Sequence, residues 1–129
     1  MTIMFRALVA TFALIALSVP AIAHHSWTAE YDAKKPIKVE GVVSKVEWTN
    51  PHTHFYVDAK DDKGVVTTWN FEMASTLSLE RGGWTRKTLP VGEKVTINGF
   101  GGRAVTTRAI ANSIITSDGK ALFVAPAGN

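Results

Sequence analysis

Residues 37–48, IKVEGVVSKVEW, indicate the fold more strongly than any other stretch, because their apolar side chains change phase within one extended run. One face with a period of two residues takes Ile37, Val39, Gly41 and Val43, and the other takes Val42, Val46 and Trp48. Alternation of this kind is typical of β-strands. A change of face beside Gly41 predicts a bulge or bend, so that one long strand serves both halves of a curled sheet.

The rest of the chain extends this strand into an all-β order of elements. The predicted elements are strands at 53–59, 65–73, 94–100, 108–116 and 121–124, with a short helix at 76–81 that Ser75 caps and Gly82-Gly83 ends. Leu77 is expected to face the core, with Leu79 as a further candidate. Gly101-Gly102 is expected to break the fourth strand. Three strands, one helix and two or three more strands are the order of a small OB-fold-like Greek-key barrel, with another small barrel or sandwich as the alternative.

Residues 1–23 have the three regions of a secretory signal peptide. Arg6 precedes a 13-residue apolar run, and Pro20 and the small-x-small triplet Ala21-Ile22-Ala23 follow it. The run would span about 20 Å as a helix, which is too short for the roughly 30 Å of a membrane core. We therefore expect cleavage after Ala23 and a periplasmic or secreted protein with no membrane span. Its segments are an N-terminal extension at 24–36 and the barrel domain at 37–125.

Composition excludes several classes of function. The 129 residues hold one domain at most, and loss of Arg6 with the signal peptide lowers the formal net charge from +3 to +2. No nucleic-acid partner is expected from so weak and scattered a charge, nor in an exported protein. Cysteine is absent, which excludes disulfides, thiolate catalysis and cysteine-ligated metal centres.

The histidines form the most chemically suggestive cluster. All four lie within 31 residues of the predicted mature start, as His24, His25, His52 and His54. Cleavage after Ala23 would give His24 a free amine beside its imidazole, a chelating pair that favours Cu(II), then Ni(II) or Zn(II). His52 and His54 stand two apart entering a strand, so they are expected on one solvent-facing side, while Phe55 and Val57 face the core. A copper site could then combine the amine and imidazole of His24 with His25, His52 or His54.

Simpler interpretations of these histidines stay open. His24-His25 can be an exposed chain start, His52 can cap the turn after Asn50-Pro51, and His54 can be an ordinary strand residue.

Aromatic residues give an alternative site. OB-folds commonly stack ligands on strand aromatics, and the candidates here are Trp84, Arg86 and Tyr56. Trp48 and Trp69 fit the apolar phases of their strands and are expected in the core. The alternative is thus a module that binds a sugar, a peptide or an envelope protein partner through exposed aromatics.

No motif for catalysis is evident. The serines lie in no Gly-x-Ser-x-Gly elbow, and the glycines form no phosphate-binding loop followed by a helix. We therefore expect a non-catalytic binding module.

Several short motifs resemble an uncharacterised family of small exported bacterial proteins, a domain of unknown function. They are HHS (24–26), EYD (30–32), VEWTNPH (46–52), RGGWTR (81–86) and LPVG (89–92). The resemblance covers nearly all of the predicted mature chain, and a second glycine before Trp84 is the one departure. It implies export and a small β-barrel, and it assigns no activity.

Overall fold

One long strand runs through the sheet and pairs with a different neighbour in each half. The computed structural model describes residues 27–124, which form α1 (Trp27–Glu30), β1 (Tyr31–Glu47), β2 (His54–Lys60), β3 (Val66–Glu72), α2 (Thr76–Arg81), β4 (Lys94–Gly102), β5 (Arg108–Thr116) and β6 (Ala121–Leu122). The first half of β1 pairs with β4 and the second half with β2, both antiparallel. Val42 belongs to both pairings, opposite Lys94 on one side and Asp58 on the other.

Gly41 permits this change of partner because β2 crosses it closely. A Cβ at Gly41 would lie less than 3.0 Å from the carbonyl oxygen of Asp58, a distance that real Cβ atoms essentially never show. The register of β1 against β2 shifts between Val43 and Lys45. The predicted irregularity is therefore present, and it lies about three residues after Gly41.

The sheet closes on itself through one short parallel pairing. Strands follow the order β3-β2-β1-β4-β5-β6, and residues Asn70, Phe71 and Glu72 of β3 also pair with Arg108, Ala109 and Ile110 of β5. The helix α2 lies between β3 and β4 in sequence. This closed ring of strands is the predicted OB-fold barrel.

The core has the predicted alternation along β2. Phe55 and Val57 are fully buried, and the Phe55 ring stacks on Phe71 with 5.2 Å between centroids. His54, Tyr56 and Asp58 lie on the outer face at intermediate exposure, also as predicted. Trp48 and Trp69 pack against this core at partial burial.

The helix α2 has the predicted bounds and cap, and its core-facing residue is Leu79 alone. The Ser75 hydroxyl accepts a hydrogen bond from the Ser78 backbone N–H at 3.3 Å, and Gly82 follows the last turn. Leu79 is fully buried, whereas Leu77 is 53% exposed. The expectation for Leu77 was wrong, because a helix of six residues presents only a narrow stripe to the barrel.

Three predicted boundaries differ from the structure by two residues or more. β1 begins at Tyr31 and not at Ile37, so Pro36 lies inside a strand, where the register against β4 is irregular. β4 continues through Gly101-Gly102, and β6 ends at Leu122. The predicted signal peptide at 1–23, together with His24 and His25, lies outside the described residues. Within residues 27–124, no helix is long and apolar enough to cross a membrane.

Candidate functional site

A cleft of about 340 Å³ lies at the end of the barrel where β3 meets β5. Its walls come from α1, the loop after β1 and the adjacent ends of β2, β3 and β5. The side chains in it that carry chemistry are Glu30, Tyr31, His52, His54, Glu72 and Arg108. The loop contributes Thr49, Asn50 and Pro51, and the Asn50–Pro51 peptide bond is cis. The cleft therefore gathers two of the four histidines with two carboxylates and one guanidinium.

Glu72 is the buried centre of this cleft. The residue is 4% exposed, and its carboxylate accepts hydrogen bonds from the Tyr31 hydroxyl and, at 3.0 Å, from Arg108 Nη2. Its other oxygen, Oε1, is paired with His52 Nδ1. A buried carboxylate is tolerated only when such partners replace its lost water. Here the closing β3–β5 pairing provides one of them, since Arg108 lies opposite Asn70 in the register.

Two arginines hold the segment that carries α1 against the barrel. Arg108 Nη2 also lies 3.1 Å from Glu30 Oε2, so one guanidinium nitrogen joins two carboxylates. Arg103 donates from Nε to the Thr28 carbonyl and from its backbone N–H to the Glu30 carbonyl, both at 2.9 Å. Ring contact adds to this, with Trp27 stacked on Phe100 at 5.9 Å. The start of the described chain is thus fixed beside the cleft.

His54 begins a polar chain, a series of hydrogen-bonded side chains that follows the surface of the sheet as far as Lys45. His54 Nδ1 lies 3.0 Å from Asn70 Oδ1, and Asn70 Nδ2 donates to the Tyr56 hydroxyl at 3.4 Å. Tyr56 donates in turn to Glu47 Oε2 at 3.2 Å, and Lys45 forms an ion pair with Glu47. The hydrogen bond from Lys45 holds the pKa of Glu47 below its ordinary value, and burial raises the pKa of Tyr56.

Comparison with known proteins places the chain in a family. The model of the Family of unknown function (DUF6152) matches residues 11–111. The chain belongs to this family. The expectation of an uncharacterised domain is confirmed, while export and the particular motifs stay predictions. No curated protein matched the chain.

The solved structures support the fold of this DUF6152 member. The mitochondrial single-stranded DNA binding protein Rim1 of S. cerevisiae, an OB-fold protein, matches with a TM-score of 0.50 and 9% sequence identity. The match covers 64% of this chain and 93% of the other. At that identity, the likeness concerns the fold alone.

The structure brings together two of the four histidines that the sequence singled out. His52 and His54 line the same cleft, although His52 precedes β2 and only His54 belongs to it. His24 and His25 lie outside the described residues. Among residues 27–124, no three histidine, aspartate or glutamate side chains are grouped so as to hold a metal ion by themselves.

The alternative site, built on exposed aromatic residues, has no exposed Trp84. Trp84 is 4% exposed, packs in the main core, and donates from Nε1 to the Phe123 carbonyl at 2.6 Å. Its ring therefore offers no face for stacking a ligand, and the expectation of an exposed Trp84 was wrong. Arg86 is exposed two residues further on, and Tyr56 lies on β2 in the polar chain of His54.

Sequence reasoning missed most of the partners of the two histidines. Alternation along 65–73 predicts Asn70 and Glu72 on the face opposite to Trp69 and Phe71. Nothing in the alternation showed that Glu72 would be buried, because Tyr31, Arg108 and the His52 loop cover it from distant parts of the chain. The sequence offers one sign of them. Asn70 and Glu72 are polar residues at the end of a predicted strand that otherwise holds valines, threonines, aromatic residues and one methionine.

Tyr31 should make the folding stability of the protein depend on pH in the alkaline range. Burial, followed by the hydrogen bond to Glu72, raises the pKa of Tyr31 far above its ordinary value of 10.0. Above pH 10 the unfolded chain loses this proton while the folded protein keeps it, so stability falls as pH rises. We expect this residue alone to contribute a slope of about 1.4 kcal/mol per pH unit in that range.

Chemical denaturation at several pH values above 10 measures that slope. Tyr31→Phe should have a shallower slope than the wild type, and Tyr56→Phe should change it less because Tyr56 is more exposed. Equal slopes for Tyr31→Phe and the wild type would contradict the assignment.

Proposed function

We propose that this protein is an exported, non-catalytic binding module that holds Cu(II), or a similar divalent metal ion, at the cleft beside α1. The ligands are the amine and imidazole of His24, made available by cleavage after Ala23, with His25 and the histidines His52 and His54. The site of action is the periplasm or the exterior of the cell.

The position of Trp27 carries this proposal. Trp27 lines the same cleft as His52 and His54, and it follows His24 by three residues. Three covalent links limit the Cα atoms of His24 and Trp27 to about 11 Å apart. With cleavage after Ala23, the new N-terminal residue would therefore be joined by three covalent links to a residue that lines the cleft of His52 and His54.

The charges of the cleft favour a cation. Glu30 and Glu72 contribute two carboxylates against the single guanidinium of Arg108 among the charged lining residues, so the lining carries a net negative charge when the histidines are neutral. A metal ion with imidazole and amine ligands gains from such a field. An anionic ligand would be repelled by it.

The donor set favours copper among the divalent ions. The chain has no cysteine, so imidazole and amine nitrogens are the strongest donors it offers here. With nitrogen donors, affinity rises along the divalent series to Cu(II) and falls again at Zn(II). Ni(II) and Zn(II) are therefore the expected weaker competitors.

The test is intact mass under native conditions, with protein exported by a bacterial host and one equivalent of Cu(II). We expect a chain that begins at His24 and retains one copper against a competing chelator. Copper in the cleft should also quench the emission of Trp27, and Trp27→Phe should remove most of that quenching.

Variants separate the two halves of the site. His24→Ala in a correctly cleaved chain, and His52→Ala/His54→Ala together, should each release copper to a chelator that the wild type withstands. Asp58→Asn, which removes one carboxylate from β2 outside the cleft, should retain the metal. A wild-type chain that starts elsewhere, or that yields its copper as readily as the double variant, would contradict the proposal.

A further inference from the structure

Both histidines of the cleft, His52 and His54, use the same ring nitrogen to bond an oxygen of the protein. His52 Nδ1 is paired with Glu72 Oε1, and His54 Nδ1 lies 3.0 Å from Asn70 Oδ1. Neither Nε2 is hydrogen-bonded to any of residues 27–124. In both rings, therefore, Nδ1 is bonded to the protein, and Nε2 has no partner among the described residues.

We propose that Glu72 and Asn70 are positioning residues that fix His52 and His54 in the tautomer with Nδ1 protonated, so that both present Nε2 to the metal. This inference rests on the proposed function and names the ligand atoms of that site. A hydrogen bond from the second ring nitrogen to a carboxylate or carbonyl is the usual device that orients a metal-binding histidine.

The direction of each hydrogen bond from His54 outward is set by Glu47, the charged residue at the far end of the series. The Glu47 carboxylate can only accept, so Tyr56 must donate its hydroxyl proton to it. The Tyr56 oxygen is then free to accept from Asn70 Nδ2, which turns Asn70 Oδ1 toward His54. Because Oδ1 can only accept, His54 Nδ1 must carry the proton.

The polarity around His52 is set more directly. Glu72 already accepts hydrogen bonds from the Tyr31 hydroxyl and from Arg108, which hold the carboxylate in place. A carboxylate accepts hydrogen bonds, so His52 Nδ1 supplies the proton in this one. Free histidine prefers the opposite tautomer, with the proton on Nε2. The protein thus reverses the intrinsic preference of both rings.

Nitrogen-15 NMR of the metal-free, full-length exported protein tests the tautomers, at a pH where both rings are neutral. We expect protonated Nδ1 in both His52 and His54. Asn70→Leu should return His54 to the Nε2-protonated form, and Tyr56→Phe should give a mixture, although Tyr56 reaches the histidine only through Asn70. A merely structural role for Tyr56 would not change the tautomer of His54.

Copper affinity tests the consequence for the metal. Glu72→Gln and Asn70→Leu should each weaken Cu(II) binding by about 10–100-fold. Asp58→Asn removes a carboxylate that lies on β2, on the same face as His54 but outside the cleft. This variant should leave the Cu(II) affinity unchanged. Asn70 is only partly buried, so its variant keeps the test valid if Glu72→Gln fails to fold.

The outcomes distinguish the inference from the proposed function. If the wild type holds copper but its rings carry the proton on Nε2, the inference about the positioning residues fails and the proposed function stands. The same conclusion follows if Asn70→Leu binds copper as tightly as the wild type. A wild type with the expected tautomers and no chelator-resistant copper would overturn the proposed function and the metal role together.

Discussion

Replacing Trp84 with alanine should cost about 3–5 kcal/mol of folding stability, a large share of the 5–15 kcal/mol typical of a small domain. Trp84 is 4% exposed within the main core, near Leu79 and Leu89 of the same cluster. Its backbone N–H bonds to the Leu79 carbonyl at 3.0 Å, and its indole N–H to the Phe123 carbonyl at 2.6 Å. The variant leaves a large cavity and removes the bond to the end of the described chain. Urea denaturation measures the loss.

Two further variants identify the cause of that loss. Arg86→Ala alters an exposed residue of the same loop and should change stability by less than about 0.5 kcal/mol. Trp84→Phe keeps a ring in the core and should recover much of the stability. A Trp84→Ala protein as stable as the wild type would return this residue to the surface role that the sequence suggested.

Gly99→Ala should destabilise the barrel by about 3–4 kcal/mol, although it adds a single methyl group. Gly99 lies in β4 where the register against β5 shifts, so that Asn98 faces Ser113 and Gly99 faces Ala111. A Cβ here would come well within 3.0 Å of the Ile110 carbonyl oxygen. Because the obstacle is backbone, relief requires a strand of the closed sheet to move.

Gly101→Ala is the matched control on the same strand. A Cβ at Gly101 meets its nearest atoms at 3.7 Å, which is ordinary contact, and its φ is not positive. We expect a change of less than about 1 kcal/mol in urea denaturation. Similar losses for the two variants would show that the close approach of β5 is not what requires glycine at position 99.

Closure of the barrel is what assembles the candidate site. Parallel pairing of β3 with β5 brings Arg108 beside Glu72, which are 36 residues apart in the chain. Tyr31 reaches the same carboxylate from the start of β1, 41 residues away. A change that weakens closure, such as Gly99→Ala, should therefore also weaken metal binding, even though Gly99 does not line the cleft.

Sequence by itself determined the elements whose cause is local. Alternation of apolar residues placed Phe55 and Val57 inside the barrel and His54 and Tyr56 outside it, because side chains of a strand point to opposite faces in turn. Ser75 and Gly82 fixed both ends of α2, since capping depends on neighbours within one turn. The order of these elements was enough to indicate the OB-fold.

Only the tertiary structure decided what depends on residues far apart in the chain. Trp84 is buried in the main core and bonded to the Phe123 carbonyl, and β1 begins at Tyr31, which pairs with β4 and bonds to Glu72. No local pattern encodes these contacts, because burial is set by which surfaces meet when the sheet closes. For the same reason, His52 and His54 were recognisable as donors from the sequence, whereas the residues that orient them became visible only in the folded barrel.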